Sequence, residues 1–187
     1  MATGEAQLVL GPTRSGKSEW AEHLARASGL PVTYVATGRE DPNDAEWCAR
    51  LAAHRRRRPA DWHTLCAADT LPAALAAHDR FGHCLLVDAL GGWVAARLAV
   101  SATTWADEVA ALRARVSRPA GQLVLVGEET GWGIVPADPS ARLFRDRLGA
   151  VLRTLGPCCA ATWLVVGGFA LALHRWGIPV PPSDTTP

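Results

Sequence analysis

The run Leu8-Val9-Leu10-Gly11-Pro12-Thr13-Arg14-Ser15-Gly16-Lys17-Ser18 sets the architecture of the whole chain. From Gly11 onward it matches G-x-x-x-x-G-K-S, with an apolar strand-like run entering and an amphipathic helical pattern leaving. Trp20 and Leu24 fall four apart on one face of that helix, and Gly29 is placed to end it. Glycines at these positions let the backbone turn its N–H groups inward around an anion, and the helix N-terminus adds its positive dipole end. Lys17 is then placed to reach the β- and γ-phosphates of a nucleotide, and the Ser18 hydroxyl to ligate Mg²⁺. Gly11, Pro12, Thr13, Arg14, Ser15, Gly16, Lys17 and Ser18 are therefore the first candidate nucleotide-binding residues. A glycine turn arising by chance is the alternative, and the strand and helix on either side argue against it.

Outward from this cradle, short apolar, β-branched runs alternate with helical patterns. The predicted strands are 7–10, 32–36, 84–87, 123–126 and 163–166, with short edge strands at 62–65 and 170–173. Most are continuous apolar runs, as strands covered on both faces should be. Helices are predicted near 17–28, 44–58, 70–79, 90–99, 104–117 and 139–155. The expected fold class is α/β, P-loop NTPase-like: a mostly parallel, doubly wound sheet flanked by helices, in a single domain over residues 1–176. Residues 177–187 are Pro-rich, without periodicity, and are expected to form a frayed C-terminal tail.

Composition bounds the function classes. Charged residues are 20% and apolar ones 49%, too apolar for a disordered chain. The formal net charge of +1 gives no global pull toward nucleic acid or an anionic membrane, so any electrostatic function must be local. The N-terminal residues carry neither a basic region nor a long apolar run, so no secretory signal is expected. The longest uncharged apolar stretch, 163–173, is too short to span a bilayer. Cysteines at 48, 66, 84, 158 and 159 show no Cys-x-x-Cys spacing, which suggests reduced thiols in a cytoplasmic protein.

Two further places carry chemistry. Asp88 follows the apolar run Cys84-Leu85-Leu86-Val87, where an Mg²⁺-ordering acid sits in this architecture; capping the next helix is its alternative role. The second is a helix with Asn43 as N-cap and Glu46 completing a capping-box pattern, stopped by Pro59. Trp47, Leu51 and His54 fall on one stripe of it, Arg50 lies one turn before His54, and Arg55-Arg56-Arg57-Arg58 follows. His54 reads locally in two ways. It is a packed histidine beside a solvated, dipole-matched arginine end, or a nucleophile beside a polyanion held by those arginines. Cations beside an imidazole disfavour its protonated form, which suits the second role. Local sequence favours the first. A nucleic-acid patch is a weaker third reading, without basic surroundings or interleaved aromatics.

The chain also resembles a known family, the bifunctional adenosylcobinamide kinase/adenosylcobinamide-phosphate guanylyltransferases of cobalamin biosynthesis, from about Leu8 to His174. Besides the cradle, the resemblance is carried by Tyr34-Val35-Ala36-Thr37 and by Arg50, His54, Arg58, Pro59 and Trp62, which fit R-x-x-x-H-x-x-x-R-P-x-x-W. Leu85-Leu86-Val87-Asp88 and Glu129-Thr130-Gly131-Trp132-Gly133-Ile134-Val135-Pro136, followed by Arg142, Phe144, Arg145 and Asp146, complete it. It implies phosphorylation of adenosylcobinamide by ATP or GTP, then transfer of GMP from GTP to give adenosylcobinamide-GDP. The transfer would pass through a guanylylated histidine, here His54, with Lys17 as the other catalytic residue. Ala36, Thr37, Gly38, Arg57, Arg58, Pro59 and Asp88 join the implied nucleotide-binding set, and Ser18 and Asp88 the implied Mg²⁺ ligands. A homo-oligomer, a trimer with sites between subunits, is implied too, with no nucleic-acid partner and no membrane span.

The chain departs from the family's pattern at Cys66, Gly91, Ala96, Glu128, Leu152 and Arg153. A glutamate is missing near Cys66, a Thr falls at Gly91 and an Asn at Ala96. Glu128 replaces an Asn, and an Asn-Gln pair falls at Leu152-Arg153. Read position by position, these changes predict weakened positioning of the acceptor, and phosphoryl transfer weaker than guanylyl transfer. The alternatives are a degenerate GTP-binding protein and a simple P-loop small-molecule kinase with His54 structural.

Overall fold

The computed structural model describes residues 4–39 and 42–181. Residues 1–3, the last six residues of the tail expected over 177–187, the side chain of Trp47 in the predicted stripe and that of Arg50 lie outside the described residues. Six parallel strands are β1 (Ala6–Gly11), β2 (Val32–Ala36), β3 (His63–Cys66), β4 (Cys84–Asp88), β5 (Gln122–Glu128) and β6 (Ala161–Val166). A seventh, β7 (Phe169–Ala172), pairs antiparallel with β6. Their order across the sheet is β3-β2-β4-β5-β1-β6-β7. β5 thus stands between the cradle strand β1 and β4. Because the six strands are parallel, Gly11, Ala36, Asp88 and Glu128 all end at one edge of the sheet.

Strand alternation sorts the apolar side chains into two cores. Leu8, Val35, Leu85, Val87, Leu123 and Leu125 face one side. There they meet α3 (Leu71–His78), α4 (Leu90–Ala96), α5 (Ala102–Ser117) and α6 (Pro139–Leu155) through buried residues such as Leu75, Trp93, Leu112 and Leu148. Val9, Tyr34, Leu86, Val124 and Val126 face the other side. That side is covered by Ala21 and Ala25 of α1 (Lys17–Ala27), with Trp20, Leu24, Trp62 and Trp163 around them. The sheet is doubly wound as expected, with the two faces unequally covered.

Strand and helix placements agree with the sequence to within a few residues, and the differences have local causes. The helix expected over 90–99 stops at Ala96, and Arg147 takes the carbonyls of Arg97 and Leu98 at 2.8 and 3.2 Å. The helix expected from 104 begins two residues earlier, because the Ser101 hydroxyl accepts from Thr104 N at 3.1 Å. A 3₁₀ turn at Gly156–Cys158 and a short helix α7 (Leu173–Trp176) were not expected. The chain reverses through Gly167-Gly168, so that Val166 pairs with Phe169 and β7 runs antiparallel. Among the described residues no helix is long and apolar enough to cross a membrane.

Leu125 is fully buried in the central strand β5. Leu125→Ala is expected to lower unfolding stability by about 2–5 kcal/mol, read as a fall in the urea midpoint.

Candidate functional site

The cradle is a tight turn from β1 into α1. Gly16 has φ 92° and Arg14 φ 60°, two left-handed backbone positions that let the loop turn sharply. Ser15 N–H donates to Pro12 O at 3.3 Å, and the Lys17 ammonium reaches back across the loop to the same carbonyl at 3.2 Å. The Ser15 hydroxyl is buried without a hydrogen-bond partner. An orphaned hydroxyl and a lysine resting on a carbonyl are groups that an anion would engage.

Asp88 is the hub of the site. It ends β4, with its side chain only 7% exposed. Ser18 Oγ donates to its Oδ1 at 3.2 Å, and the Tyr34 hydroxyl donates to its Oδ2 at 2.7 Å. His54 Nδ1, in the last turn of α2 (Ala45–Arg57), lies 3.5 Å from the same Oδ2. Burial acts to raise the Asp88 carboxyl, but the hydrogen bonds of His54, Tyr34 and Ser18 and the His54 charge together hold it below the usual aspartate range. Burial, and then the Asp88 charge, push the Tyr34 hydroxyl well above the tyrosine range, with Arg58 opposing them. An ionised carboxylate beside a serine hydroxyl is an all-oxygen donor set, which fits a hard cation such as Mg²⁺. No group of three or more His, Cys, Asp or Glu among the described residues could hold a metal alone, so the remaining ligands would have to come from phosphates and water.

The arginines are already engaged. Arg57 pairs with Glu19 and, at 3.3 Å, with the buried Glu22 of α1, and its NH2 is also 3.3 Å from His54 Nδ1. The Arg58 guanidinium carbon lies 3.4 Å from the Tyr34 ring centroid, and its NH1 donates to Thr64 Oγ1 at 3.3 Å. The cationic surroundings expected around His54 are therefore half of its environment, and the Asp88 carboxylate is the other half. The solvated arginine end that accompanies a merely packed His54 is not found at Arg57 and Arg58.

At the β2 end, Ala36 accepts from Ala67 N at 2.8 Å, and the buried Thr37 hydroxyl donates to Ala89 O beside Asp88. Gly38 and Pro59 lie in the segments after β2 and α2. The sequence reading gave no site role to Tyr34, which bridges Asp88 and Arg58, or to Glu22, which holds Arg57. The available signal for Tyr34 was the chain's one tyrosine, placed inside a buried strand.

Positions that depart from the family's pattern separate into distinct groups. Leu152 is 7% exposed and packed against Gly127, and it also lines the groove between the loop after β5 and α6. The space a side chain at Gly91 would fill holds the Glu128 carboxyl, whose Oε2 accepts from Gly91 N at 2.9 Å. Arg153 donates to Pro181 O at 3.2 Å, and Cys66 is exposed at the end of β3.

Comparison with known proteins places these features in context. The family model described as cobinamide kinase / cobinamide phosphate guanyltransferase matches residues 7–173. The chain is 38% identical to the bifunctional adenosylcobalamin biosynthesis protein CobP of Pseudomonas aeruginosa, over 89% of this chain and 95% of that one. It is 36% identical to the bifunctional adenosylcobalamin biosynthesis protein CobU of Salmonella typhimurium, over 89% and 98% of the two chains. Among solved structures, a Pyrococcus horikoshii protein superposes with a TM-score of 0.55 at 9% identity, covering 92% of this chain and 87% of its own. An ATP synthase subunit of Nanoarcheaum equitans gives 0.50 at 14% identity, over 96% of this chain and 50% of its own. At those identities the structures speak to the fold alone.

Burial raises the Glu128 carboxyl above the usual glutamate range, with Gly91 N–H and Lys17 acting against the rise. A raised carboxyl contributes stability below its unfolded value that is lost as pH rises through its folded value. Glu128→Gln, which keeps an acceptor for Gly91 N–H, is therefore expected to gain stability relative to the parent chain between pH 4 and pH 8. Urea unfolding at the two pH values checks the sign.

Proposed function

We propose a two-step nucleotide chemistry for this chain, which belongs to the cobinamide kinase / cobinamide phosphate guanyltransferase family. In the first step the hydroxyl of the aminopropanol arm of adenosylcobinamide takes a phosphoryl group from ATP or GTP. In the second, GMP passes from GTP to that phosphate, giving adenosylcobinamide-GDP. One observation carries the reading. His54, which matches the family's histidine, is one carboxylate away from the first turn of the cradle helix, with Asp88 touching both Ser18 and His54.

The roles follow from the chemistry of each group. The backbone of Gly11 to Ser18 encloses the phosphates, and Lys17 exchanges the Pro12 carbonyl for their charge. Ser18 and Asp88 would hold Mg²⁺, whose chemistry there would be neutralisation of the phosphates' charge. Asp88 Oδ2 steadies His54 through Nδ1, which leaves Nε2 as the nucleophilic nitrogen. As Nε2 bonds to the α-phosphorus of GTP, the bond from that phosphorus to its bridging oxygen breaks and pyrophosphate leaves. An oxygen of the acceptor phosphate then bonds to the same phosphorus, and the N–P bond breaks to return the imidazole. Arg57 and Arg58, with Pro59 and the Ala36-Thr37-Gly38 turn, would flank the nucleotide and offset its charge.

A homo-oligomer, a trimer as the family resemblance implies, is supported by exposed apolar residues. Ile134 is 96% exposed on the loop after β5 and Phe169 78% exposed on β7, surfaces that a neighbouring subunit would cover. A cytoplasmic location fits the five cysteines, all free.

GTP labelled at the α-phosphate is expected to leave an acid-labile, alkali-stable adduct on the protein, absent in His54→Ala. An adduct that survives in His54→Ala moves the nucleophile elsewhere, and no adduct in the parent chain favours a kinase-only or binding-only protein. Lys17→Ala is expected to weaken GTP binding by about 1.5–3 kcal/mol, roughly tenfold or more, because a charge-assisted contact is lost. Unaltered affinity by calorimetry would take the triphosphate out of the cradle.

A further inference from the structure

Glu128 ends β5 in register with Gly11, and the next residue, Glu129, donates its N–H to Gly11 O at 3.0 Å. The first glycine of the cradle and the Glu128 backbone are therefore locked side by side. The Glu128 side chain turns inward, and its Oε2 accepts from Gly91 N–H, at the first turn of α4, at 2.9 Å. A β-carbon on residue 91 would lie 2.6 Å from that oxygen and 2.8 Å from the carboxyl carbon. No positive φ calls for glycine at 91, so the carboxyl is the reason for it. On its far side Glu128 lines a groove of about 320 Å³ between the loop after β5 and α6, together with Glu129, Arg145, Asp146 and Arg153.

Glu128 thus stands where the cradle and the groove meet, and Lys17 and Asp88 are near enough for their charges to act on it. A carboxylate at that point welcomes a hydroxyl, which donates a hydrogen bond, and repels an acceptor that already carries phosphate. Resting on the function proposed above, we propose that Glu128 is a catalytic residue of the phosphoryl-transfer step, accepting the proton of the acceptor alcohol while Gly91 keeps its place open. The alcohol oxygen bonds to the γ-phosphorus, and its proton passes along the hydrogen bond to the Glu128 carboxylate. The bond from the γ-phosphorus to the bridging oxygen breaks with its electron pair, and the nucleoside diphosphate leaves. Burial holds this carboxyl above its ordinary range, which suits a group that must take a proton near neutrality. The same residue makes the groove selective for the unphosphorylated alcohol in this step.

The test assays the two half-reactions separately on the full chain, with adenosylcobinamide plus ATP or GTP, and with adenosylcobinamide phosphate plus GTP. Glu128→Gln retains an acceptor for Gly91 N–H and for the alcohol but is no longer a base. It is expected to lower kcat for phosphorylation about 100-fold, the lower end for a positioned base, with KM for adenosylcobinamide and GTP affinity within about twofold of the parent chain and guanylyl transfer unchanged or raised, because the repulsion of the phosphorylated acceptor is relieved. An unchanged phosphorylation rate, or an equal loss in both half-reactions, would overturn the assignment. A parent chain that does not phosphorylate adenosylcobinamide at all removes the functional reading, and this inference with it. The shared space is tested without activity. Gly91→Ala should lower Tm in the parent chain, yet be neutral or favourable in a Glu128→Ala background, where alanine suits a helix better than glycine. Equal effects in the two backgrounds would show that the carboxyl does not occupy that space.

Discussion

The Asp88 carboxylate is the constraint on which the rest of the site depends. A buried ionised carboxylate is costly unless hydrogen-bonded, and three separate elements satisfy this one. Ser18 comes from α1, Tyr34 from β2 and His54 from α2, and Asp88 itself ends β4. One side chain therefore holds the cradle helix, an inner strand and the histidine helix at a common edge of the sheet. The parallel strands make this possible, because they deliver their C-terminal ends, and the loops that follow, to the same side.

The two helices that meet there are anchored by different physics. α1 buries Ala21 and Ala25 against the sheet, and small side chains there allow close packing. α2 has no buried side chain among its described residues. Its C-terminal turn is tied instead by polar contacts, His54 to Asp88 and Arg57 to Glu19 and Glu22. Partly exposed ion pairs of this kind contribute little each, so the position of α2 depends on several of them acting together. The charges that pair with Arg57 belong to the same helix that carries Lys17 and Ser18, which couples the electrostatics of the cradle to those of the histidine helix.

Much of this was legible in the sequence. The continuous apolar runs at 32–36 and 84–87 could only be strands covered on both faces, and G-x-x-x-x-G-K-S between a strand and a helix fixed the cradle. Asp88 was singled out because, with the cradle already in place, a carboxylate ending another strand is where a Mg²⁺-ordering acid sits, although such a residue can also cap the next helix. What stayed hidden depended on pairs far apart in the chain. Nothing local in Arg55-Arg56-Arg57-Arg58 says that Arg57 will meet Glu19 and Glu22, or that Arg58 will stack on Tyr34. The sequence showed cations around His54 and missed the anion, because Asp88 is brought there by the pairing of β2 with β4.

Gly91 and Glu128 carry that lesson further. Taken one at a time, each is a polar residue exchanged for something unsuitable, a glycine with no side chain and an acid beside a phosphate site. Taken together they fill one volume, since the carboxyl occupies the space next to the Gly91 α-carbon and accepts its N–H. Close packing makes such exchanges natural: the volume at a buried position is fixed, while the strand or helix that fills it is not. Leu152 is the opposite case, because an aliphatic residue there packs on Gly127 and gives the groove an apolar lining. A polar group is therefore lost from a site only when no neighbouring element supplies one to the same place, and at position 91 the neighbouring strand β5 does supply it.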